Sequence, residues 1–76
     1  MSRTQNGMSL PNNYIDVQYA AEGRYRVWIF RNRQPYAQCY SENLYTVVTL
    51  AKRLNCGIRA DNKLKEALKA RGATVL

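Results

Sequence analysis

A chain of 76 residues in which 46% are hydrophobic has the length and composition of one folded domain, which argues against a wholly disordered protein. Its 12 lysines and arginines outnumber its 5 aspartates and glutamates, and the resulting net charge of +7 predicts an anionic partner, most often a nucleic acid. The chain has no histidine, no recognisable pair of acids and no glycine-rich phosphate loop, so we expect a protein that is not an enzyme.

The first 13 residues predict a flexible N-terminal arm, and residues 14–76 predict a single α+β domain. The arm, MSRTQNGMSLPNN, is polar, and Gly7 and Pro11 interrupt any regular pattern within it. From Tyr14 onward apolar and polar residues alternate, which is the periodicity of a β-strand.

Three consecutive segments show this alternation and predict an antiparallel β-meander. Their sequences are YIDVQYA, RYRVWIF and YAQCY, and the short segments AEGR and RNRQP separate them. Connections of this length join antiparallel neighbours, because a parallel pair needs a much longer crossover. We therefore expect the three strands to pair in chain order.

One pairing register collects the apolar side chains of these strands on one face. It sets Val17 opposite Val27 and Val27 opposite Cys39, and a slip of one residue would mix the two faces. The face expected to cover the core contains Ile15, Val17, Tyr19, Tyr25, Val27, Ile29, Ala37 and Cys39. The other face is expected to carry three rows: Tyr14–Phe30–Tyr36, Asp16–Trp28–Gln38 and Gln18–Arg26–Tyr40.

Two helices are predicted after the strands. Ser41 suits the N-cap of the first and Gly57 its C-terminal stop, whereas Asp61 and Gly72 suit the two ends of the second. The apolar stripe of the first helix is Leu44, Val47, Val48, Ala51 and Leu54, and that of the second is Leu64, Ala67 and Leu68. The segment between residues 55 and 61 is expected to be a connection, and Val75 and Leu76 are expected to dock on the core.

The predicted fold is α+β, a three-stranded antiparallel β-meander followed by two α-helices, the first packed on the Ile/Val face of the sheet. The second helix carries basic residues on its outer surface, namely Lys63, Lys65, Lys69 and Arg71. It can pack beside the first helix or over the aromatic face of the sheet, and the sequence leaves both arrangements open.

Neither a metal, a cofactor nor a membrane is expected. Two cysteines without histidine cannot supply the four ligands of a usual zinc site, and Cys39 and Cys56 lie in apolar patterns that favour buried, reduced thiols. No apolar run is long enough to cross a bilayer, and the N-terminus lacks the apolar segment of a signal peptide. We therefore expect an intracellular protein.

The aromatic and basic face of the sheet fits two modes of nucleic-acid binding. In the first, the sheet enters the major groove of duplex DNA, with arginine to guanine as the strongest contact and Arg24, Arg31 and Arg33 on the flanking phosphates. In the second, the aromatic side chains stack on the bases of a single strand or of RNA. The candidate binding residues are Arg24, Arg26, Trp28, Phe30, Arg31, Arg33, Tyr36, Gln38 and Tyr40.

The segment LPNNYIDVQYAAEGRYRVWIFRNRQPYAQCYSENLYTVVTLAKRL, from Leu10 to Leu54, resembles one group of DNA-binding domains. Its order of arm, three-stranded meander and packed helix is similar to the small domains at the N-termini of phage tyrosine integrases and in plant AP2 factors. The resemblance implies that the sheet sits in the major groove. The side chains that would then face DNA are Arg24, Arg26, Trp28, Phe30, Tyr36, Gln38 and Tyr40. Where those domains commonly place a glycine after the third strand, this chain has CYSEN, and it adds a second helix.

Other interpretations of the same residues stay open. Trp28 and Phe30 are the most apolar side chains of their face, so a helix, a second subunit or another protein can cover them. The chain also resembles small phage-encoded inhibitors such as anti-CRISPR proteins, which implies a host protein as partner. A helix-turn-helix in VVTLAKRLNCGIRADNKLKEALKARG is disfavoured, because the connection between its helices is too long.

Overall fold

The structure, a computed structural model, describes residues 10–76, which fold into a four-stranded sheet and two helices. In chain order the elements are β1 (Tyr14–Tyr19), β2 (Tyr25–Arg31), β3 (Gln34–Ser41), α1 (Leu44–Leu54), β4 (Gly57–Arg59) and α2 (Asn62–Ala70). The sheet order is β3-β2-β1-β4, with β4 parallel to β1 and the other neighbours antiparallel. The first nine residues of the predicted arm lie outside the described residues.

Both hairpin turns place residues in the left-handed region, which Gly23 and Asn32 adopt readily and Glu22 and Arg33 do not. In the β1–β2 turn, Glu22 and Gly23 have positive φ angles of 58° and 76°. In the β2–β3 turn, Asn32 and Arg33 have positive φ angles of 54° and 64°, as a tight two-residue hairpin requires. The backbone N–H of Arg33 donates to the carbonyl of Asn12 at 2.8 Å, so the chain ahead of β1 also secures this turn.

The meander pairs in the predicted register except at one end. Val17 lies opposite Val27, and Val27 lies opposite Cys39, as expected. The prediction that Phe30 lies opposite Tyr36 is wrong, because the register shifts after Ile29 and Phe30 pairs with Pro35. Proline has no N–H for the ladder, and bulges on edge strands are where sheets accommodate it. Tyr36 is therefore an extra residue in β3.

The segment after α1 contains a fourth strand and is not the simple connection that the sequence predicts. Asn55, and not Gly57, ends α1 in a left-handed conformation with φ 56°, and Gly57 begins β4. Ile58 is fully buried and pairs with Ile15 of β1. A strand of three residues is too short for alternation to mark it, so its position depends on the sheet that it joins.

The C-terminal segment adds one more pairing to the free side of β4. Ile58 N–H donates to the carbonyl of Thr74, and the N–H of Leu76 donates to the carbonyl of Ile58, both at 2.9 Å. Val75 packs against the core, as predicted. A Cβ atom added to Gly57 would lie 2.6 Å from Cδ2 of Leu76, so any larger residue at this position would displace the Leu76 side chain.

Both helices pack on the Ile/Val face of the sheet, which settles the arrangement that the sequence left open. Their buried residues join those of the strands in one hydrophobic cluster, which consists of Ile15, Val17, Val27, Leu44, Val47, Val48, Ala51, Ile58, Leu64 and Leu68. Because Leu64 and Leu68 of α2 belong to this cluster, α2 lies beside α1 and does not cover the aromatic face. Within residues 10–76, neither helix is long and apolar enough to cross a membrane.

The helix starts confirm one predicted cap and correct the other. Asp61 caps α2, where its Oδ1 accepts from the N–H of Leu64 at 2.8 Å. Asn43, and not Ser41, caps α1, because its Oδ1 accepts from the N–H of Thr46 at 2.8 Å. Ser41 is instead the buried last residue of β3, and its hydroxyl donates to the Asn43 carbonyl at 2.7 Å.

Four residues predicted to lie against the core are exposed, namely Tyr19 at 58%, Cys39, Leu54 and Leu76 at 36%. Cys39 lies on β3, which is an edge strand, so its side chain is at the margin of the core face. Leu54 is the last residue of α1 and is 43% exposed, and it lines a cleft with Ile29 and Tyr36 of the sheet. Cys56 is half-buried, and both cysteines are free thiols.

Candidate nucleic-acid interface

One side of the sheet faces away from both helices, and we call it the open face. Side chains alternate along a strand, so the neighbours of the buried residues Ile15, Val17, Val27 and Ile58 point to this side. Its residues are Tyr14, Asp16, Gln18, Arg26, Trp28, Phe30, Gln38, Tyr40 and Arg59. Of the predicted binding residues, the structure brings together Arg26, Trp28, Phe30, Gln38 and Tyr40 on this face.

One end of the open face is aromatic and closely packed. The rings of Tyr14 and Phe30 stack with 4.7 Å between centroids and 6° between planes. That separation equals the spacing of neighbouring strands, so the two rings stand upright on the sheet with their faces against each other. Tyr14 was predicted to lie in an exposed row, but only 4% of it is accessible. This row presents ring edges rather than flat platforms.

The other end of the open face carries hydrogen-bonding groups. The guanidinium carbon of Arg26 lies 5.9 Å from the ring centroid of Tyr40, and the amide nitrogen of Gln38 is 3.5 Å from the Tyr40 hydroxyl. The Nε of Arg26 is buried and has no hydrogen-bond acceptor among the described residues. Only the terminal guanidinium nitrogens of Arg26 are therefore free to meet a ligand.

Arg59 is a member of the open face that sequence reasoning missed. It lies opposite Asp16 in the parallel β1–β4 pair, and its Nη1 is 3.9 Å from the Asp16 Oδ2. This distance is longer than a hydrogen bond, so the pair is a weak ionic contact. No local signal marked Arg59, because it joins the face only through the three-residue strand β4.

The Asp16 carboxyl is partly desolvated in the centre of the face. Its side chain is 20% exposed, and burial raises its pKa more than the nearby Arg59 lowers it. None of the side-chain hydrogen bonds found within residues 10–76 reaches this carboxylate. Asp16 thus has acceptor capacity that the described part of the protein leaves unused.

The raised pKa of Asp16 predicts a pH dependence of folding. The folded protein keeps this proton at a pH where the unfolded chain, with a pKa near 3.8, has released it. We therefore expect the Asp16 contribution to the free energy of unfolding to fall as pH rises from the ordinary pKa through the raised one. Asp16→Asn should remove this fall, which thermal melts of both proteins between about pH 3 and about pH 7 would measure. Parallel pH profiles for the two proteins would contradict the prediction.

The remaining predicted arginines lie at the ends of the sheet. Arg24 and Arg33 are exposed in the two hairpin turns, at opposite ends of β2. Arg31 stacks on Tyr36, with its guanidinium carbon 4.7 Å from the ring centroid. Arg31 and Tyr36 line a cleft of about 340 Å³ together with Ile29 and Leu54, the last residue of α1. Because the bulge shifts the register of β3, Tyr36 does not lie in line with the Trp28 row.

A second group of cations lies on the opposite side of the protein, on α2. Two of its members are engaged locally: Lys69 pairs with Glu66 at 3.8 Å, and Arg71 Nη1 donates to the Ala67 carbonyl at 3.0 Å. Lys63 is exposed and Lys65 is half-buried. This basic surface is therefore less available to a polyanion than its charge count indicates.

No protein-family model, curated protein or solved structure matches the chain. In the described part of the chain, no three cysteine, aspartate and glutamate side chains are placed to hold a metal ion. The geometry of the open face is thus the basis for a functional proposal.

Proposed function

We propose that this protein is a small non-catalytic module that binds nucleic acid, preferably duplex DNA, through the open face of its sheet. The observation that carries the proposal is the placement of both helices on one side, which leaves Arg26, Trp28 and Gln38 uncovered on the other. A half-buried tryptophan and an arginine on an uncovered sheet, in a protein of charge +7, form a surface suited to a polyanion.

The ring geometry favours a duplex over a single strand. A base that stacks on an aromatic side chain needs an open ring face. In the Tyr14–Phe30 pair each ring covers one face of the other, and Phe30 has Pro35 as its neighbour on β3. The polar end of the face instead presents amide and guanidinium groups, which are suited to the base edges in a major groove.

The turns supply cations on either side of this surface. Arg24 and Arg33 flank the seven-residue strand β2, which separates them by roughly 20 Å. The major groove is about 12 Å wide, so a sheet lying in it would bring both turns over the phosphate backbones at its margins. Phosphate contacts of this kind position a domain without reading the sequence.

A salt titration tests the proposal. With three or four phosphate contacts, a rise in salt from about 50 mM to about 200 mM should weaken duplex binding about 40- to 150-fold, because bound cations are released from the DNA. Fluorescence anisotropy with a labelled duplex would measure it, with a single strand and an RNA of equal length as controls. Weak duplex binding that does not depend on salt would overturn the proposal.

The same experiment separates the rival functions. Preferential binding of the single strand would support base stacking on Trp28 and Tyr40. Failure to bind any nucleic acid, together with a host protein that co-purifies with the chain, would support an inhibitor that uses the open face against a protein. The exposed tyrosines Tyr36 and Tyr40 on the edge strand favour this second candidate.

A further inference from the structure

An acidic side chain, Asp16, lies in the centre of the surface proposed to bind a polyanion. Asp16 lies on β1, an inner strand, between Arg59 on β4 and Trp28 on β2. Any ligand that covers Trp28 therefore approaches Asp16 as well. Its half-desolvated carboxylate would repel a phosphate placed within about 4 Å by roughly 1–4 kcal/mol. The centre of the face is thus unsuited to the DNA backbone.

The edges of some bases carry amino groups that can donate a hydrogen bond to the Asp16 carboxylate. In the major groove, cytosine N4 and adenine N6 are amino donors, whereas guanine and thymine present only acceptors there. The Asp16 carboxylate has unused acceptor capacity, because its contact with Arg59 is 3.9 Å long. Gln18 and Gln38 lie in neighbouring positions of the same face and carry both donors and acceptors.

We propose that the Asp16 carboxylate accepts a hydrogen bond from the amino group of a cytosine or an adenine in the major groove, and so makes DNA binding sequence-selective. The inference rests on the proposed function. Asp16 would then recognise a base, although its negative charge alone disfavours DNA binding. The cationic neighbours Arg26 and Arg59 then contact guanine or phosphate on either side of it.

The test begins with the wild-type protein and a library of random duplexes, from which the preferred site is selected. Each base pair of that site is then changed singly. One position should require cytosine or adenine on one strand, and guanine or thymine there should weaken binding about 5- to 150-fold. Where the required base is cytosine, Asp16→Asn should abolish this preference alone, because its amide presents both a donor and an acceptor. Where it is adenine, Asp16→Ala is the test, because an asparagine amide itself pairs with adenine N6 and N7.

Glu42→Gln is the matched control. Glu42 is exposed between β3 and α1, outside the paired rows of the open face, and its substitution, like either Asp16 substitution, raises the formal net charge from +7 to +8. The control should strengthen binding to every duplex by a common small factor and keep all base preferences. If Asp16→Ala behaves in the same way, Asp16 only repels phosphates, and the assignment is overturned.

A second variant guards against a folding defect. Asp16→Ala, which has no polar group, should also lose the preference at that position, and a thermal melt of each variant should confirm that it folds. A wild-type protein that binds no duplex of the library would overturn the proposed function itself. Equal binding to every duplex, or a base preference that survives Asp16→Ala unchanged, would overturn only the role of Asp16.

Discussion

Replacement of Arg26 and Trp28 together by alanine should weaken duplex binding about 100- to 1,000-fold. A bidentate arginine contact to a base contributes about 1–3 kcal/mol, and a tryptophan at the centre of an interface commonly contributes about 2 kcal/mol or more. Their sum is about 3–5 kcal/mol, and because the contributions of neighbouring residues are not fully additive we expect a loss of about 3–4 kcal/mol. This corresponds to the stated factor, since about 1.4 kcal/mol changes affinity tenfold. Both residues lie on β2 in adjacent rows of the open face, so one substitution pair removes its centre.

Arg31→Ala with Tyr36→Ala is the matched control for this experiment. It also removes one arginine and one aromatic ring, and the two side chains stack on each other at the end of the sheet. Their cleft is lined by Leu54 of α1 and by the Tyr14–Phe30 end of the open face, and not by the Trp28 row. The control should therefore lose only the share of affinity due to one charge. Anisotropy titrations at one salt concentration would compare the two variants, with circular dichroism to confirm folding.

Other outcomes of the comparison between the two variants would place the binding site elsewhere on the protein. If the control loses as much affinity as the Arg26 and Trp28 variant, the cleft at the sheet end is part of the interface. If neither variant loses affinity, the open face is not the site, and the basic surface of α2 becomes the candidate. Substitution of Lys63, which is exposed on α2, would then test that surface.

Ile58→Ala should destabilise the protein by about 2–5 kcal/mol, the usual cost of removing a buried isoleucine side chain. Ile58 is fully buried, between β1 on one side and the C-terminal segment on the other. A domain of this size has a total stability of about 4–11 kcal/mol, so the variant would be partly unfolded at moderate temperature. A thermal melt should show a midpoint lowered by at least about 10 °C.

Ile29→Ala provides the comparison for this variant. The residue type and the substitution are the same, but Ile29 is only partly buried at the margin of the core. Its loss should therefore destabilise the protein less. Equal shifts of the two melting midpoints would mean that β4 contributes no more to the core than the end of the meander does.

The candidate site could be predicted in part, because strand periodicity places side chains without any knowledge of the tertiary fold. Arg26, Trp28 and Gln38 lie on the face that alternation assigned to them. Tyr36 does not lie with them, since Pro35 shifts the register of the edge strand by one residue. Arg59 could not be found in this way, because the strand that carries it is too short to show a period.

The sequence by itself determined the elements whose signals are local. The alternation of the meander, the turn segments AEGR and RNRQP and the Asp61 cap each depend on residues close together in the chain, and physical rules for such neighbours are specific. Only the tertiary structure decided that β4 pairs with β1 and that α2 lies beside α1. Both depend on contacts between residues distant in the chain, such as Ile58 with Ile15. Several strands and helices bury their apolar side chains in the same core, and no local sequence pattern shows which of them will be neighbours.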